Sequence, residues 1–273
     1  MDSDAMATEQ MTSPEYEAAI LDLDGTVYRG GKLLDGAAQS VDRFRKLGTE
    51  VLFLTNKAIA RRSDYSEKLT KLGIAADVDD VVNSGWVTAR YAAKTYPDRT
   101  AFVIGETPLV EELRSAGVET TTTTPGDLLV VSMDREFTYE KLDLALRTLE
   151  EEVPFLATNP DRTCPTENGA IPDAAGMIGA VERVTDRTVD VMLGKPSETM
   201  LETALSEVGS DPAHCLVIGD RLETDILMGE RAGMTTALVL SGVTDRKTLE
   251  EADVSPDYVL DSLADINTVF SGK

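Results

Sequence analysis

Short apolar runs that stop abruptly at a polar residue recur along this chain, and they limit it to a narrow set of folds. Ala18-Ala19-Ile20-Leu21 ends at Asp22, Val51-Leu52-Phe53-Leu54 ends at Thr55-Asn56, and Cys215-Leu216-Val217-Ile218 ends at Gly219-Asp220. Runs this short, with no polar alternation inside them, suit strands covered on both faces. Helical patterns separate them, over 36–47 and 63–72, each followed by a glycine, Gly48 or Gly73, that can close a helix in the left-handed conformation. Ala237-Leu238-Val239-Leu240 extends the pattern after a helix closing at Gly233. Strand alternating with helix predicts an α/β protein with a mainly parallel sheet.

The chain has 273 residues, more than one compact core usually holds, so a second domain or a large insertion is expected. The middle of the sequence has an α/β rhythm of its own. Residues 101–104, 128–131 and 154–157 read as strands, and 84–96, 109–116, 139–150 and 176–184 as helices. We therefore expect an inserted α/β domain over 82–184, set into a core of 17–81 and 185–273. The run Thr120–Thr124, ahead of Pro125-Gly126, reads as a loop or an edge strand. Residues 1–16 are polar and acidic, without the basic flank and apolar segment of a signal peptide, and read as a frayed tail.

The formal net charge of −23 argues against nucleic acid as a partner, because such a field repels phosphate backbones. The acid is spread along the chain, and 16 arginines outnumber 10 lysines. That distribution suggests a protein adapted to salt, where the Debye length falls to about 3 Å near 1 M, and hence a halophilic source. No apolar run approaches the roughly 20 residues needed to cross a bilayer, so no membrane partner and a cytoplasmic location are expected. Cys215 opens an apolar run and reads as core, whereas Cys164 sits in a polar stretch that reads as a loop. With His214 the only histidine, the chain lacks the set of about four ligands that zinc usually takes.

Where parallel strands end, ligands bind, so groups far apart in sequence can meet beyond the carboxyl edge of the sheet. Asp22-Leu23-Asp24-Gly25-Thr26 puts two carboxylates two residues apart in a loop leaving a strand. One can act as a nucleophile while the other handles protons, and Gly25 permits a turn tight enough to aim backbone N–H groups at an anion. Thr55-Asn56 offers a hydroxyl and an N–H. Lys195, in Gly194-Lys195-Pro196, offers an ammonium at a loop-to-helix junction. Gly219-Asp220-Arg221-Leu222-Glu223-Thr224-Asp225 supplies a further acidic pair. Mg²⁺ prefers oxygen ligands and uses one or two carboxylates beside substrate phosphate, a demand that Asp22 and Asp220 fit.

Taken together and in this order, DLDGT at 22–26, TN at 55–56, GKP at 194–196 and GDRLETD at 219–225 resemble the haloacid dehalogenase superfamily of phosphatases. The insertion between the second and third motifs is similar to that of members with a class IIA cap. The stretches 21–30, 137–142 and 157–161 look like those of NagD-like and p-nitrophenylphosphatase-like proteins. The resemblance runs from about residue 17 onward. It implies a Rossmann-like core with a parallel sheet, a large inserted α/β cap, Mg²⁺ as cofactor and a small phosphorylated metabolite as substrate. It also implies roles: Asp22 as nucleophile, Asp24 as acid and base with its carbonyl on Mg²⁺, and Asp220 as metal ligand with Asp225 behind it. Thr55 and Asn56 would hold phosphoryl oxygens, and Lys195 would span the phosphate and Asp22. Asn159 and Asp161 would reach the leaving group from the cap, and pairing of two copies through the cap is a further expectation.

Two departures bear on substrate. The second motif continues as Thr55-Asn56-Lys57-Ala58-Ile59, closer to the AraL-like sugar phosphatase branch than to TNNS, and Lys57 becomes a candidate phosphate or substrate contact. A usually glycine-rich cap stretch reads Pro172-Asp173-Ala174-Ala175-Gly176. Sugar phosphates, phosphoglycolate and glycerol phosphate all remain open as substrates. Phosphotransfer to another acceptor, or ligand binding without catalysis, are the alternative functions.

Overall fold

The computed structural model describes residues 16–150, 152–166 and 169–271. Two all-parallel sheets account for the alternation in the sequence. The core sheet has six strands in the order Tyr258–Leu260, Thr235–Val239, Cys215–Gly219, Ala18–Leu21, Glu50–Thr55 and Val81–Asn83. Ala18–Leu21 is central, and its two neighbours are the other strands expected to end in chemically active residues. The carboxyl ends of all three therefore lie side by side.

Both faces of this sheet are covered, which is why its strands carry no polar alternation. Ala19, Leu21, Val51, Phe53, Leu216 and Ile218 point to one side and meet Val41 and Phe44 of helix Ala37–Lys46 and Tyr65 and Leu69 of helix Arg62–Lys71. Ala18, Ile20, Leu52, Leu54, Cys215 and Val217 point to the other. Gly48 and Gly73 follow the ends of those helices at φ of 80° and 98°, as their positions predicted.

The second sheet has five strands in the order Val191–Met192, Phe155–Ala157, Leu128–Val131, Thr100–Ile104 and Glu119–Thr121. Glu119–Thr121 takes in the start of the threonine-rich segment, which therefore begins as an edge strand, one of the two readings left open. One face of this sheet packs Phe102, Leu129 and Phe155 against helices Tyr139–Thr148 and Ala174–Thr185. From its other face, Val103, Val130 and Leu156 belong to the same buried cluster as Ile20 and Leu54 of the core. Each fully buried side chain of this size contributes about 1.5–3 kcal/mol, so the shared cluster helps hold the two sheets together.

Sheet membership moves the expected boundaries. Val82 and Asn83 fall in the expected insertion but pair with Leu54 and Thr55 of the core. Val191 and Met192 fall in the expected core but pair with Leu156 and Ala157 of the insertion. A two-residue strand has no periodicity to read, which is why that return strand escapes the sequence. We propose that the insertion runs from 84 to 193. Residues 1–15 of the expected tail lie outside the described residues; Tyr16 is buried and packs edge-on to Phe270. Among the described residues, no helix is long and apolar enough to cross a membrane.

Candidate active site

The site lies where Ala18–Leu21, Glu50–Thr55 and Cys215–Gly219 end, under a hairpin of the insertion formed by Thr163–Thr166 and Gly169–Pro172. A small cavity of about 30 Å³ lies between them. Of the expected residues, Asp22, Asp24, Thr55, Asn56, Lys57, Asp161 and Lys195 line it. Asp220 and Asp225 sit behind: with Asp22 they bring carboxylate oxygens within 4.8 Å of one another.

Lys195 organises this acidic trio. Its ammonium donates to Asp22 Oδ1 at 2.5 Å, Asp225 Oδ1 at 2.6 Å and the Leu54 carbonyl at 3.0 Å. Those three acceptors use all three N–H bonds of a side chain that is 2% exposed. Burial pulls the ammonium towards neutrality, but Asp22 and Asp225 outweigh it and hold its pKa above the ordinary value. Burial lifts the Asp22 carboxyl to about 7, opposed by Lys195 and helped by Asp225 and Asp24. Burial, then the charges of Asp22 and Asp225, push Asp220 well above the usual carboxylate range.

Close backbone approach fixes Asp220. Its Oδ2 accepts from Val243 N at 2.7 Å, and a Cβ at Gly25 or Gly242 would overlap its carboxylate. Gly25 also has φ of 97°, which only glycine adopts easily. Asp220 Oδ1 is buried with no hydrogen-bond partner. Asp225 is different: its oxygens are taken by Lys195 Nζ and by Arg221 N at 3.2 Å. A hard cation fits this set of oxygens, with Asp22 and Asp220 the carboxylates best able to hold it and Asp225 supporting Lys195 behind them.

Asn56 acts as a clamp. Its Oδ1 accepts from Lys195 N at 2.7 Å and its Nδ2 donates to Lys195 O at 3.2 Å. Thr55 Oγ1 accepts from Lys57 N at 3.2 Å, so its own proton can point into the cavity. Lys57 Nζ pairs with Asp24 Oδ1 at 2.7 Å.

The expected leaving-group contact from Asn159 is corrected. This residue is fully buried and does not line the cavity. Its Nδ2 donates to Asn56 O at 2.9 Å and Thr158 Oγ1 at 3.2 Å, and its Oδ1 accepts from Asp161 N at 3.0 Å. It ties the cap loop to the core, with Gly194 so close to Thr158 O that no side chain would fit there. Cys164 is also corrected: it is buried in the hairpin strand and faces the cavity. Pro165, Asp173, Arg221 and Thr224 complete the lining, and the sequence did not single them out as site residues. Asp173 lies in the stretch that departs from the family pattern, which was the available signal. Burial lifts its carboxyl to about 6 even though Ala174 N donates to it.

Comparison with known proteins agrees with this geometry. Residues 19–119 match a family model described as haloacid dehalogenase-like hydrolase, and residues 192–266 match one described as HAD-hydrolase-like. Sugar-phosphatase AraL of Bacillus subtilis is 41% identical over 256 residues, covering 93% of each chain. An acid sugar phosphatase of Staphylococcus epidermidis is 32% identical, covering 94% of this chain and 97% of its own. Among solved structures, 4-nitrophenylphosphatase of Thermotoga maritima superposes with a TM-score of 0.87 at 32% identity, covering 93% of this chain and 97% of that one. NagD of Escherichia coli K-12 gives a TM-score of 0.83 at 27% identity, covering 92% and 98%. Agreement along almost the whole length, cap included, assigns the chain to the haloacid dehalogenase-like hydrolases, as a phosphoric monoester hydrolase with a class IIA cap.

Proposed function

We propose that this phosphatase hydrolyses small sugar-type phosphomonoesters with Mg²⁺, by way of a phosphoryl group carried on Asp22. The observation that carries the reading is the trio of buried carboxylates balanced by a single ammonium. With all three ionised they exceed the one ammonium by two charges, a deficit that protons offset when no metal is bound and that a divalent ion corrects in their place, since burying uncompensated charge is costly. Asp22 and Asp220 would hold Mg²⁺, which would supply neutralisation of the phosphoryl charge there. The Asp22 carboxylate, held by Lys195, attacks phosphorus; Asp24 gives its proton to the departing oxygen and then takes one from the water that releases phosphate. The Thr55 hydroxyl and the Asn56 N–H hold phosphoryl oxygens.

The net charge of −23, spread along the chain, supports a salt-adapted enzyme, and two free, buried cysteines suit a reducing compartment such as the cytoplasm. One thermal unfolding series tests metal and salt together. Mg²⁺ should raise Tm by several degrees, and molar KCl should raise it further. The metal effect depends on pH with a definite sign. Because Asp22 is lifted to about 7, its proton is bound more strongly in the folded state, so metal-free stability falls as pH rises from about 4 towards 7. Mg²⁺ competes with that proton, so its stabilisation should be larger at pH 8 than at pH 5. A Tm indifferent to Mg²⁺ at pH 8 would overturn the metal assignment, and no gain from KCl would overturn the salt adaptation.

Commitment of the lining cations supports the substrate class. Lys57 pairs with Asp24, Lys195 with Asp22 and Asp225, and Arg221 Nη2 donates to Thr163 O at 2.7 Å. Asp161 and Asp173 add acceptors, and among the described residues no aromatic ring lines the cavity. Such walls, with Asp161 and Asp173 disfavouring a carboxylate and no ring to stack a base, suit an uncharged leaving group rich in hydroxyls. Glycerol phosphate and hexose or pentose phosphates should exceed phosphoglycolate in kcat/KM by about tenfold or more, the scale of leaving a buried charge unmatched. Equal or better hydrolysis of phosphoglycolate would reject this class.

A further inference from the structure

Three buried polar atoms in or beside the nucleophile loop, Asp24 Oδ2, Thr26 Oγ1 and the Tyr28 hydroxyl, remain unexplained by the roles above. Asp24 Oδ1 is held by Lys57 Nζ at 2.7 Å, but its Oδ2 is buried with no well-formed partner. The Tyr28 hydroxyl is in the same condition. Leaving either atom unpaired is expensive, so a native fold normally joins such groups or bridges them with water.

The backbone brings them to one place. Residues 24 and 28 form a bridge across the turn, closed by Gly25 N donating to Tyr28 O at 2.8 Å. The Tyr28 ring is fully buried, with Lys68 Nζ 3.4 Å from its centroid. Burial first, then the charges of Asp24, Tyr65 and Asp22, hold its phenol well above the ordinary value, so the hydroxyl keeps its proton as a donor.

We propose that Tyr28 is a positioning residue for the acid–base step, its hydroxyl anchoring Asp24 Oδ2 directly or through one water. Anchoring the buried oxygen fixes the plane of the carboxyl group and leaves Oδ1, beside Lys57, as the oxygen that faces the cavity. Oδ1 then carries the proton to the leaving group. This inference rests on the reading of Asp24 as the general acid, and the test separates the two.

The test compares Tyr28→Phe and Asp24→Asn in the full-length Mg²⁺-loaded protein, on a hexose phosphate and on p-nitrophenyl phosphate. An alkoxide leaves only with a proton, whereas p-nitrophenolate leaves without one. With Tyr28→Phe, kcat on the sugar phosphate should fall about tenfold with KM little changed, the scale of one lost hydrogen bond to a charged group. The first-turnover burst of p-nitrophenolate should keep its rate. Full turnover of the sugar phosphate, or an equal loss in the burst, overturns the proposal. The phenylalanine keeps the ring under Lys68; a burst amplitude matching the folded protein concentration shows that folding is intact, and restoring tyrosine at 28 must restore turnover. If Asp24→Asn itself loses both reactions equally, the acid role of Asp24 fails, and the inference about Tyr28 fails with it.

Discussion

Asp22→Asn should lose roughly 10⁴ to 10⁶ in turnover while unfolding at no lower a temperature than the parent without Mg²⁺. Loss of a covalent nucleophile removes the route itself, and comparable nucleophile deletions cost on this scale. The stability half follows from burial. Asp22 is held by Lys195 at 2.5 Å, yet its carboxyl is still lifted to about 7, so solvation lost on folding outweighs the ion pair. An amide of the same shape escapes that cost and keeps an acceptor for Lys195. It also weakens the repulsion among Asp22, Asp220 and Asp225. For the same reason Mg²⁺ should stabilise the variant less than the parent. Rapid acid quench with mass spectrometry should find phosphate on residue 22 of the parent only. Undiminished turnover in Asp22→Asn would end the mechanism.

How much of this site was legible depended on how each residue reaches it. Asp22, Thr55 and Asp220 follow apolar runs whose limits could be read almost to the residue: Ala18–Leu21 was expected and found, and Leu128–Val131 likewise in the cap. In a parallel sheet, knowing that strands end there is nearly enough to know that those residues meet. Lys195 was readable only through its motif, because the Asn56 clamp that seats it comes from 139 residues away. The hairpin over the cavity was not legible at all. Thr-Cys-Pro-Thr and Gly-Ala-Ile-Pro each contain proline and show no clean alternation, so Cys164 reads as loop and Asp173 only as part of an altered cap stretch. Asn159 misled for a related reason. A polar residue after a cap strand looks like a substrate contact, and only tertiary structure shows its amide spent on Asn56 and Thr158.

Lys195→Met should be more damaging to the fold than any change of the nucleophile, and it should abolish turnover as well. Methionine fills much the same volume, so packing is largely kept and the charge is what is lost. Breaking a buried pair by removing one partner costs about 3–5 kcal/mol, and here one ammonium serves two carboxylates. Without it, Asp22 and Asp225 face each other and Asp220 with no cation, and protonation is their remaining escape. The parent's loss of metal-free stability between about pH 4 and 7 should therefore become steeper in the variant, whose deficit at pH 7 should shrink at pH 5. Lys195→Arg should not rescue. The site presents three acceptors around a tetrahedral nitrogen that is 2% exposed, and a planar guanidinium can neither match that geometry nor fit that volume. Denaturant unfolding of both variants at the two pH values is the measurement. A methionine variant as stable as the parent at pH 7, or an arginine variant that turns over normally, would mean that Lys195 is not what balances the acidic trio.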